Sequence, residues 1–216
     1  MKTANNRPLY FGVIFMALFL AAIAIVRLNG NIDHSSELLF STNELPVNGF
    51  FLPKSLPLAG VEFTSTDGSL ISTHGFKNQW TLLALGYTQC PDVCPTTLMK
   101  LDHVISTIPE KNRPKVAFLS IDITPDNITQ LNSYMNYFNE DFIGLSTTPE
   151  QLDEFFQSLG ASYSIDKNAS GGLDIEHSSA IYLISPDKKY VANFPYILSA
   201  EQISQDYLAI IRSDEY

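Results

Sequence analysis

The sequence predicts an α/β fold in which a mixed β-sheet is flanked by helices, with one N-terminal transmembrane helix. Two dense apolar runs, Trp80–Tyr87 and Lys115–Ile121, are typical of strands that are buried on both faces. Segments with helical periodicity alternate with these strands along the chain. A third observation is the uncharged, almost entirely apolar run from Leu9 to Val26, which indicates a membrane-spanning helix.

The apolar run near the N-terminus is about the minimum length for a helix that crosses the hydrocarbon core. Lys2 and Arg7 precede it and Arg27 follows it, so the distribution of positive charge favours a cytoplasmic N-terminus and an exported C-terminal domain. Ala22-Ile23-Ala24 resembles a signal-peptide cleavage site, but the run is longer than a usual signal core, and we favour an uncleaved anchor. We expect a bacterial inner-membrane protein whose soluble domain faces the periplasm.

The segment after this run is predicted to be a linker. Residues 28–55 are rich in Asn, Ser, Pro and Gly and show no clear periodicity. The predicted organisation is therefore an anchor at 1–27, a linker at 28–55 and a folded domain at 56–216. A domain of this size can bury its own core without disulfides.

Local sequence patterns predict each strand and helix of the folded domain. Alternating residues and a following Asp-Gly turn predict the first strand, dense apolar runs predict the next two, and a Pro-Asp turn joins the last two as a hairpin. The predicted strands are Val61–Thr64, Trp80–Tyr87, Lys115–Ile121, Gly144–Leu145, Ala180–Ile184 and Tyr190–Phe194. Apolar residues on one face predict the helices, which are Pro95–Ile108, Ile128–Phe138, Pro149–Leu159 and Ser199–Ile211, the last capped by Ser199. This order of elements is the thioredoxin-like layout.

Charge and cysteine content exclude two classes of protein. The formal net charge of -10 repels a phosphate backbone, so we expect no nucleic-acid partner. Two cysteines in 216 residues do not make a disulfide-rich scaffold.

The two cysteines, Cys90 and Cys94, lie in the predicted loop between a buried strand and a helix. Ligands of open α/β sheets bind at such carboxyl ends of strands. Pro95 suits the first helical position, which would place Cys94 at the N-cap. The positive end of the helix is expected to lower the pKa of the Cys94 thiol there.

The spacing of the pair favours a metal but leaves redox chemistry open. Three residues separate Cys90 from Cys94, one more than in the usual thioredoxin redox motif, and the longer loop lets both sulfurs face one ion. Two thiolates are soft ligands that favour Cu(I) or Zn(II). A disulfide or a buried structural pair is the alternative.

The histidines differ in where the predicted topology places them. His103 lies on the same predicted helix as Cys94, roughly 13 Å away along the axis, which is too far to share an ion. His74 precedes the first buried strand and belongs toward the opposite end of the sheet, and His34 lies in the linker. His177 precedes the strand Ala180–Ile184. If that strand is antiparallel to the buried pair, His177 reaches the cysteine loop.

Cys90, Cys94 and His177 would then form a site with two sulfur ligands and one nitrogen ligand. Such a site suits Cu(I), or Cu(II) with an added ligand. Zinc bound there would keep an open position.

The sequence GYTQCPDVCPTTL at 86–98 resembles the signature of the Sco/SenC family, and Glu176–Ile184 is similar to its second signature. The similarity extends over about 58–211 and includes the anchor. The resemblance implies a thioredoxin-like fold and copper bound by Cys90, Cys94 and His177. It also implies a metallochaperone role in building the CuA centre of cytochrome c oxidase subunit II.

The sequence departs from the family pattern at two places. Glu176 stands where the family usually has Asp, and the segment 122–127 lacks the family's first proline and its threonine. Asp122 and Asp126 in that segment are either groups that support the ligands or solvated loop acids.

Other functions use the same residues. Cys90 and Cys94 would be the catalytic pair of a thiol-disulfide reductase that needs no metal, and the same ligands would serve a copper or redox sensor. A peroxidase is disfavoured because the loop lacks the expected threonine-rich setting. Expected partners are subunit II or another copper client, periplasmic thiol-disulfide or copper-donor proteins, and the membrane through the N-terminal helix.

Overall fold

An eight-stranded mixed sheet forms the frame of the fold. The computed structural model describes residues 47–76, 78–122, 127–167 and 173–213, together with Met16 and Leu20. Its strands are β1 Phe50–Pro57, β2 Glu62–Ser65, β3 Leu70–Ser72, β4 Thr81–Gly86, β5 Lys115–Ser120, β6 Ile143–Ser146, β7 Tyr163–Lys167, β8 Leu173–His177, β9 Ile181–Ile184 and β10 Lys189–Phe194. Its α-helices are α1 Val93–Thr107, α2 Asn127–Phe138, α3 Pro149–Leu159 and α4 Ala200–Ile210.

The strand order is β1-β10-β9-β4-β5-β6-β2-β3. Strands β4, β5 and β6 are parallel, and the outer strands pair antiparallel. The predicted mixed sheet with helices on both faces is therefore confirmed. Strand β9 runs antiparallel to β4, with Leu83 opposite Tyr182, as the placement of His177 required.

Two apolar layers cover the sheet because side chains alternate between its faces along each strand. Leu82, Ala84, Val116 and Phe118 face the layer that contains α1, α2 and α4. Leu83, Leu85, Ala117 and Leu119 face the layer that contains α3. All six residues of β4 are buried, which explains its uniformly apolar sequence.

Two helices, α3 and α4, have side-chain caps at their N-termini. Ser199 forms a capping box with Gln202 at the start of α4, which confirms the predicted cap. Thr148 caps α3, and Gly160 ends that helix in the left-handed conformation.

Four strands, β1, β3, β7 and β8, lie where none was predicted. Strand β1 begins at Phe50, inside the predicted linker, and its mostly exposed or half-buried residues give no clear hydrophobic pattern. Strands β7 and β8 form a separate two-stranded hairpin. No helix among the described residues is long and apolar enough to cross a membrane. The predicted anchor from Leu9 to Val26 falls outside the described residues, apart from Met16 and Leu20.

A buried carboxylate joins the start of β1 to α4. Asp206 is 2% exposed and accepts hydrogen bonds from the backbone N–H groups of Asn48 and Gly49 and from the Asn48 side chain, each at 2.8 Å. Three donors satisfy the carboxylate at this position.

Replacing Asp206 by Ala should lower the free energy of unfolding by about 2 kcal/mol, since it leaves three donors without their acceptor. Urea denaturation of the full chain measures the change. The matched control is Glu154→Ala, which removes an exposed carboxylate from α3. Equal stability of the two variants would contradict this role of Asp206.

Candidate metal centre

The cysteine loop connects the end of β4 to the first turn of α1. Cys90 is half-buried in the loop and Cys94 is 2% exposed, at the second position of the helix. The prediction that Cys94 is the N-cap is wrong, because the helix begins at Val93 and Asp92 is the N-cap. The Asp92 carbonyl accepts the hydrogen bond of Thr96 N–H at 3.2 Å, and Pro95 is tolerated because first-turn N–H groups have no partner within the helix.

The backbone N–H groups at the start of helix α1 lower the pKa of Cys90. The Cys94 N–H points at Cys90 Sγ, 3.4 Å away. Burial raises the pKa of Cys90, but hydrogen bonds from the Cys94 thiol and from the backbone N–H groups of Cys94, Asp92 and Val93 outweigh it, so the pKa is lowered.

Cys94 has the opposite shift. Burial, followed by the hydrogen bond to Cys90, raises the pKa of Cys94 to about 12. The sequence prediction of a lowered pKa for Cys94 is therefore wrong. The loop combines a half-buried thiol with a lowered pKa and a buried thiol with a raised pKa.

Gly86 makes room for the buried sulfur. A Cβ at this last residue of β4 would lie 2.6 Å from Cys94 Sγ and 2.9 Å from the Phe118 ring. Any side chain would displace Cys94 or Phe118, so this position requires glycine.

His177 completes the group from a different part of the chain. It is the last residue of β8, directly opposite Tyr163 in the hairpin. Its Nε2 lies 3.7 Å from Cys94 Sγ, and its Nδ1 lies 3.0 Å from the Ser178 carbonyl. Because a carbonyl only accepts, Nδ1 carries the proton in this contact, which leaves the Nε2 lone pair for a metal.

The ligand atoms of Cys90, Cys94 and His177 all lie within 4.8 Å of one another. The structure thus brings together the three residues that the sequence singled out. Two thiol sulfurs and one imidazole nitrogen at this spacing form a soft donor set that fits a single thiophilic metal ion.

The histidines and acids that were not assigned as ligands have other positions. His103 Nε2 lies 3.1 Å from Glu201 on the exposed surface, consistent with its exclusion. His74 lies in the short 3-10 helix Thr73–Phe76, and His34 falls outside the described residues. Asp122 is half-buried after β5, whereas Asp126 falls outside the described residues.

Two residues near the site were missed from sequence. The Tyr87 ring packs edge-on against His177, with ring centroids 6.1 Å apart at 85°. The Ser178 carbonyl orients the same imidazole. The signal for the paired strands was present in the sequence, since Tyr163–Lys167 and Leu173–His177 alternate apolar and polar residues on either side of a segment that contains Gly171-Gly172.

An open pocket gives solvent access to the site. It is lined by Tyr87, Cys90, Pro91, Asp92, Val93, Ile175, Glu176, His177 and Ser179. Cys90 and His177 lie at its surface, whereas Cys94 is buried below them. A ligand can therefore enter and leave on the side of Cys90.

Known proteins share this sequence pattern. The family model described as SCO1/SenC matches residues 59–212, which is more than half of the chain. The chain belongs to the SCO1/SenC family. This confirms the resemblance drawn from the two signatures.

The relatives of this SCO1/SenC chain include proteins with copper bound. It is 34% identical over 145 residues to the mitochondrial SCO2 homolog of Bos taurus, covering 64% of this chain and 54% of the bovine protein. The match thus spans about half of that relative's length. The copper-bound structure of Bradyrhizobium japonicum ScoI superposes with a TM-score of 0.64 at 25% identity, covering 70% of this chain and 98% of that one.

A more distant structure shows the same fold. BsSco, described as having a disulfide switch and as a member of the Sco family of cytochrome c oxidase assembly proteins, is 20% identical with a TM-score of 0.57. The alignment covers 74% of this chain and 95% of that one. The thioredoxin-like fold predicted from the order of elements is confirmed by these superpositions.

The unequal pKa values of the two cysteines predict unequal reactivity. In the reduced, metal-free full chain at about pH 7.5, Cys90 should react with iodoacetamide at least about tenfold faster than Cys94, because only the thiolate reacts. Peptide mass spectrometry over time measures both rates. In urea the two rates should become equal, and a faster Cys94 in the folded chain would contradict the assignment.

Gly86→Ala should lower the free energy of unfolding by about 1–3 kcal/mol, since the added methyl group overlaps Cys94 Sγ and Phe118. Gly60→Ala is the matched control, because a Cβ there meets nothing within 4 Å. Urea denaturation compares the two variants. If Gly86→Ala unfolds at the same urea concentration as Gly60→Ala, then Cys94 does not pack against the Gly86 backbone as described.

Proposed function

We propose that this chain is a copper metallochaperone that holds copper with Cys90, Cys94 and His177 and delivers it to, or prepares, the CuA site of cytochrome c oxidase subunit II. The observation that carries the proposal is the convergence of these three ligand atoms within 4.8 Å in a chain of the SCO1/SenC family. Copper bound in the ScoI relative and the oxidase-assembly role named for the BsSco family support it.

The donor set favours copper over harder metals. Two thiolates and an imidazole match the soft Cu(I) ion, and an additional ligand from solvent or a partner would adapt the site to Cu(II). Structural zinc sites use four protein ligands, whereas three ligands here would leave one position open. Mg²⁺ and Ca²⁺ prefer oxygen ligands, which this group does not supply.

The arrangement of the ligands suits transfer rather than permanent storage. Cys90 and His177 border an open pocket, so a partner's ligands can approach the metal from that side. The pKa of Cys90 is lowered and that of the buried Cys94 is raised, so protons compete with the metal more strongly at the Cys94 sulfur than at the Cys90 sulfur. The affinity for copper should therefore rise with pH, because fewer protons compete with copper for the Cys94 sulfur.

The same proposal includes the location of the protein in the cell. The apolar run Leu9–Val26 and its flanking positive charges support a single inner-membrane anchor with the folded domain in the periplasm. Its expected partners there are a copper client, copper donors and thiol-disulfide proteins.

A thiol-disulfide reductase is the second candidate, and the unequal thiol pKa values favour it. Cys90 has the features of an attacking thiolate and Cys94 those of a resolving thiol. Cys90 would attack a client disulfide and form a mixed disulfide. Cys94 would then displace the second client thiol and close a Cys90–Cys94 disulfide. The client gains two electrons and two protons, which the two thiols lose.

His177→Ala should weaken Cu(I) affinity of the full chain by at least about tenfold, because the site loses its imidazole ligand. Competition with a Cu(I) chelator under anaerobic conditions measures the affinity. His103→Ala is the matched control, since that histidine pairs with Glu201 away from the site and its loss should leave affinity unchanged.

The same variants separate the two functions. Undiminished copper binding by His177→Ala would contradict the proposed ligand set. If that variant also reduced a client disulfide at the wild-type rate while Cys90→Ser did not, the reductase would become the better account.

A further inference from the structure

The β7–β8 hairpin, which carries His177 at its end, forms a sheet of its own. Among the described residues, no strand of the main sheet pairs with either of its strands. A two-stranded hairpin alone is only marginally stable in water. The position of the His177 side chain therefore depends on the contacts that fasten the hairpin to the rest of the domain.

One face of the hairpin packs on the domain. Residues directly opposite one another in an antiparallel pair share a face, as do residues two apart along a strand. Tyr163 is directly opposite His177. Ile165 is opposite Ile175, so both pairs lie on the same face. Tyr163 and Ile175 pack against the apolar layer that contains α3, whereas Glu176 on the other face is exposed.

Tyr163 fastens this face of the hairpin to α3. Its hydroxyl donates a hydrogen bond to Asp153 Oδ1 at 2.6 Å, and its ring packs on Phe156 with centroids 4.9 Å apart. Phe156 is 2% exposed and belongs to the core, so the tyrosine ring rests on a buried side chain. Tyr163 thus joins the hairpin to a helix of the domain at the register position of His177.

The same end of the hairpin holds the group that orients the imidazole. Ser178 N–H donates a hydrogen bond to the Ser162 carbonyl at 2.9 Å, and Ser162 N–H donates one to Ser178 Oγ at 3.0 Å. The Ser178 carbonyl in turn contacts His177 Nδ1 at 3.0 Å. Movement of Tyr163 away from α3 would therefore displace both the imidazole and the carbonyl that selects its tautomer.

We propose that Tyr163 is a positioning residue, which holds the His177 imidazole beside the two cysteines through its contacts with Asp153 and Phe156. The inference rests on the proposed copper site, because it assigns Tyr163 a role in presenting one ligand of that site. It predicts that loss of Tyr163 lowers the affinity for copper only through His177. In a chain that lacks the imidazole, the position of the hairpin should make no difference to copper binding.

A double-mutant cycle in the full chain tests this dependence. Tyr163→Ala should weaken Cu(I) affinity about tenfold by anaerobic chelator competition, since the tyrosine's hydrogen bond to Asp153 and its ring contact with Phe156 are both lost. In the His177→Ala background, the same substitution should change the affinity by less than about twofold. Tyr137→Ala is the matched control, because it removes a tyrosine of α2 that is 82% exposed and should leave the affinity unchanged in both backgrounds.

Milder variants separate the hydrogen bond from the ring contact. Tyr163→Phe removes only the hydroxyl and Asp153→Ala only its acceptor, so each should weaken Cu(I) affinity about threefold, and the two together no more than either alone. Asp153→Asn keeps a carbonyl oxygen that can accept the hydrogen bond, so it should bind copper more tightly than Asp153→Ala.

The metal-free chain gives a readout that does not depend on copper. At about pH 8 the imidazole is neutral, and nitrogen NMR shows which of its ring nitrogens carries the proton. His177 should have a single Nδ1–H tautomer in the wild type and a mixture of both tautomers in Tyr163→Ala. The thermal midpoint of each variant checks that the chain is folded.

The results that overturn the inference are distinct from those that overturn the proposed function. Equal losses of copper affinity in the wild-type and His177→Ala backgrounds would show that Tyr163 acts through the whole fold. Unchanged affinity in Tyr163→Ala would show that the hairpin is positioned without it. If copper binding is absent, or indifferent to His177, the proposed function fails. A changed tautomer would then still support positioning of the imidazole by Tyr163, and an unchanged tautomer would overturn that as well.

Discussion

The contact between Gly86 and the Cys94 sulfur is the constraint on which the site depends. Because β4 ends in a residue without a side chain, the first turn of α1 packs directly over the end of the sheet. That approach buries Cys94 and places Phe118 beneath it. It also leaves the Cys94 N–H aimed back at Cys90. The missing Cβ therefore makes room for the buried sulfur of Cys94, and the backbone N–H of the same residue contacts the more exposed sulfur of Cys90.

The unequal environments of the two thiols give the site its chemistry. The sulfur in the loop accepts hydrogen bonds from the start of the helix and ionises at a lower pH, whereas burial keeps the proton on the deeper one. His177 arrives from a separate hairpin, and its ring is oriented by the adjacent Ser178 carbonyl. A soft cation satisfies all three groups at once, while a disulfide satisfies only two. This difference favours copper chemistry as the main function, with thiol exchange available to the same pair.

Much of this arrangement could be predicted from sequence because its determinants are strong and local. Buried strands have continuous apolar sequences, and the condition on which the placement of His177 depended, a strand β9 antiparallel to β4, is met in the sheet. The start of α1 was misplaced because Pro95 is acceptable at several first-turn positions, and the pKa assignment followed that error. Strand β1 is stabilised by Asp206 of α4, a long-range contact that leaves no local pattern. The β7–β8 hairpin carried an alternating pattern, but polar residues make such short strands resemble loops.

X-ray absorption spectroscopy of the Cu(I)-loaded full chain tests the central claim most directly, because it identifies the atoms bound to copper. Convergence of Cys90, Cys94 and His177 within 4.8 Å predicts two sulfur neighbours and one imidazole nitrogen around a single copper. A spectrum with two sulfurs and no nitrogen, or with copper bridging sulfurs of two chains, would contradict the account.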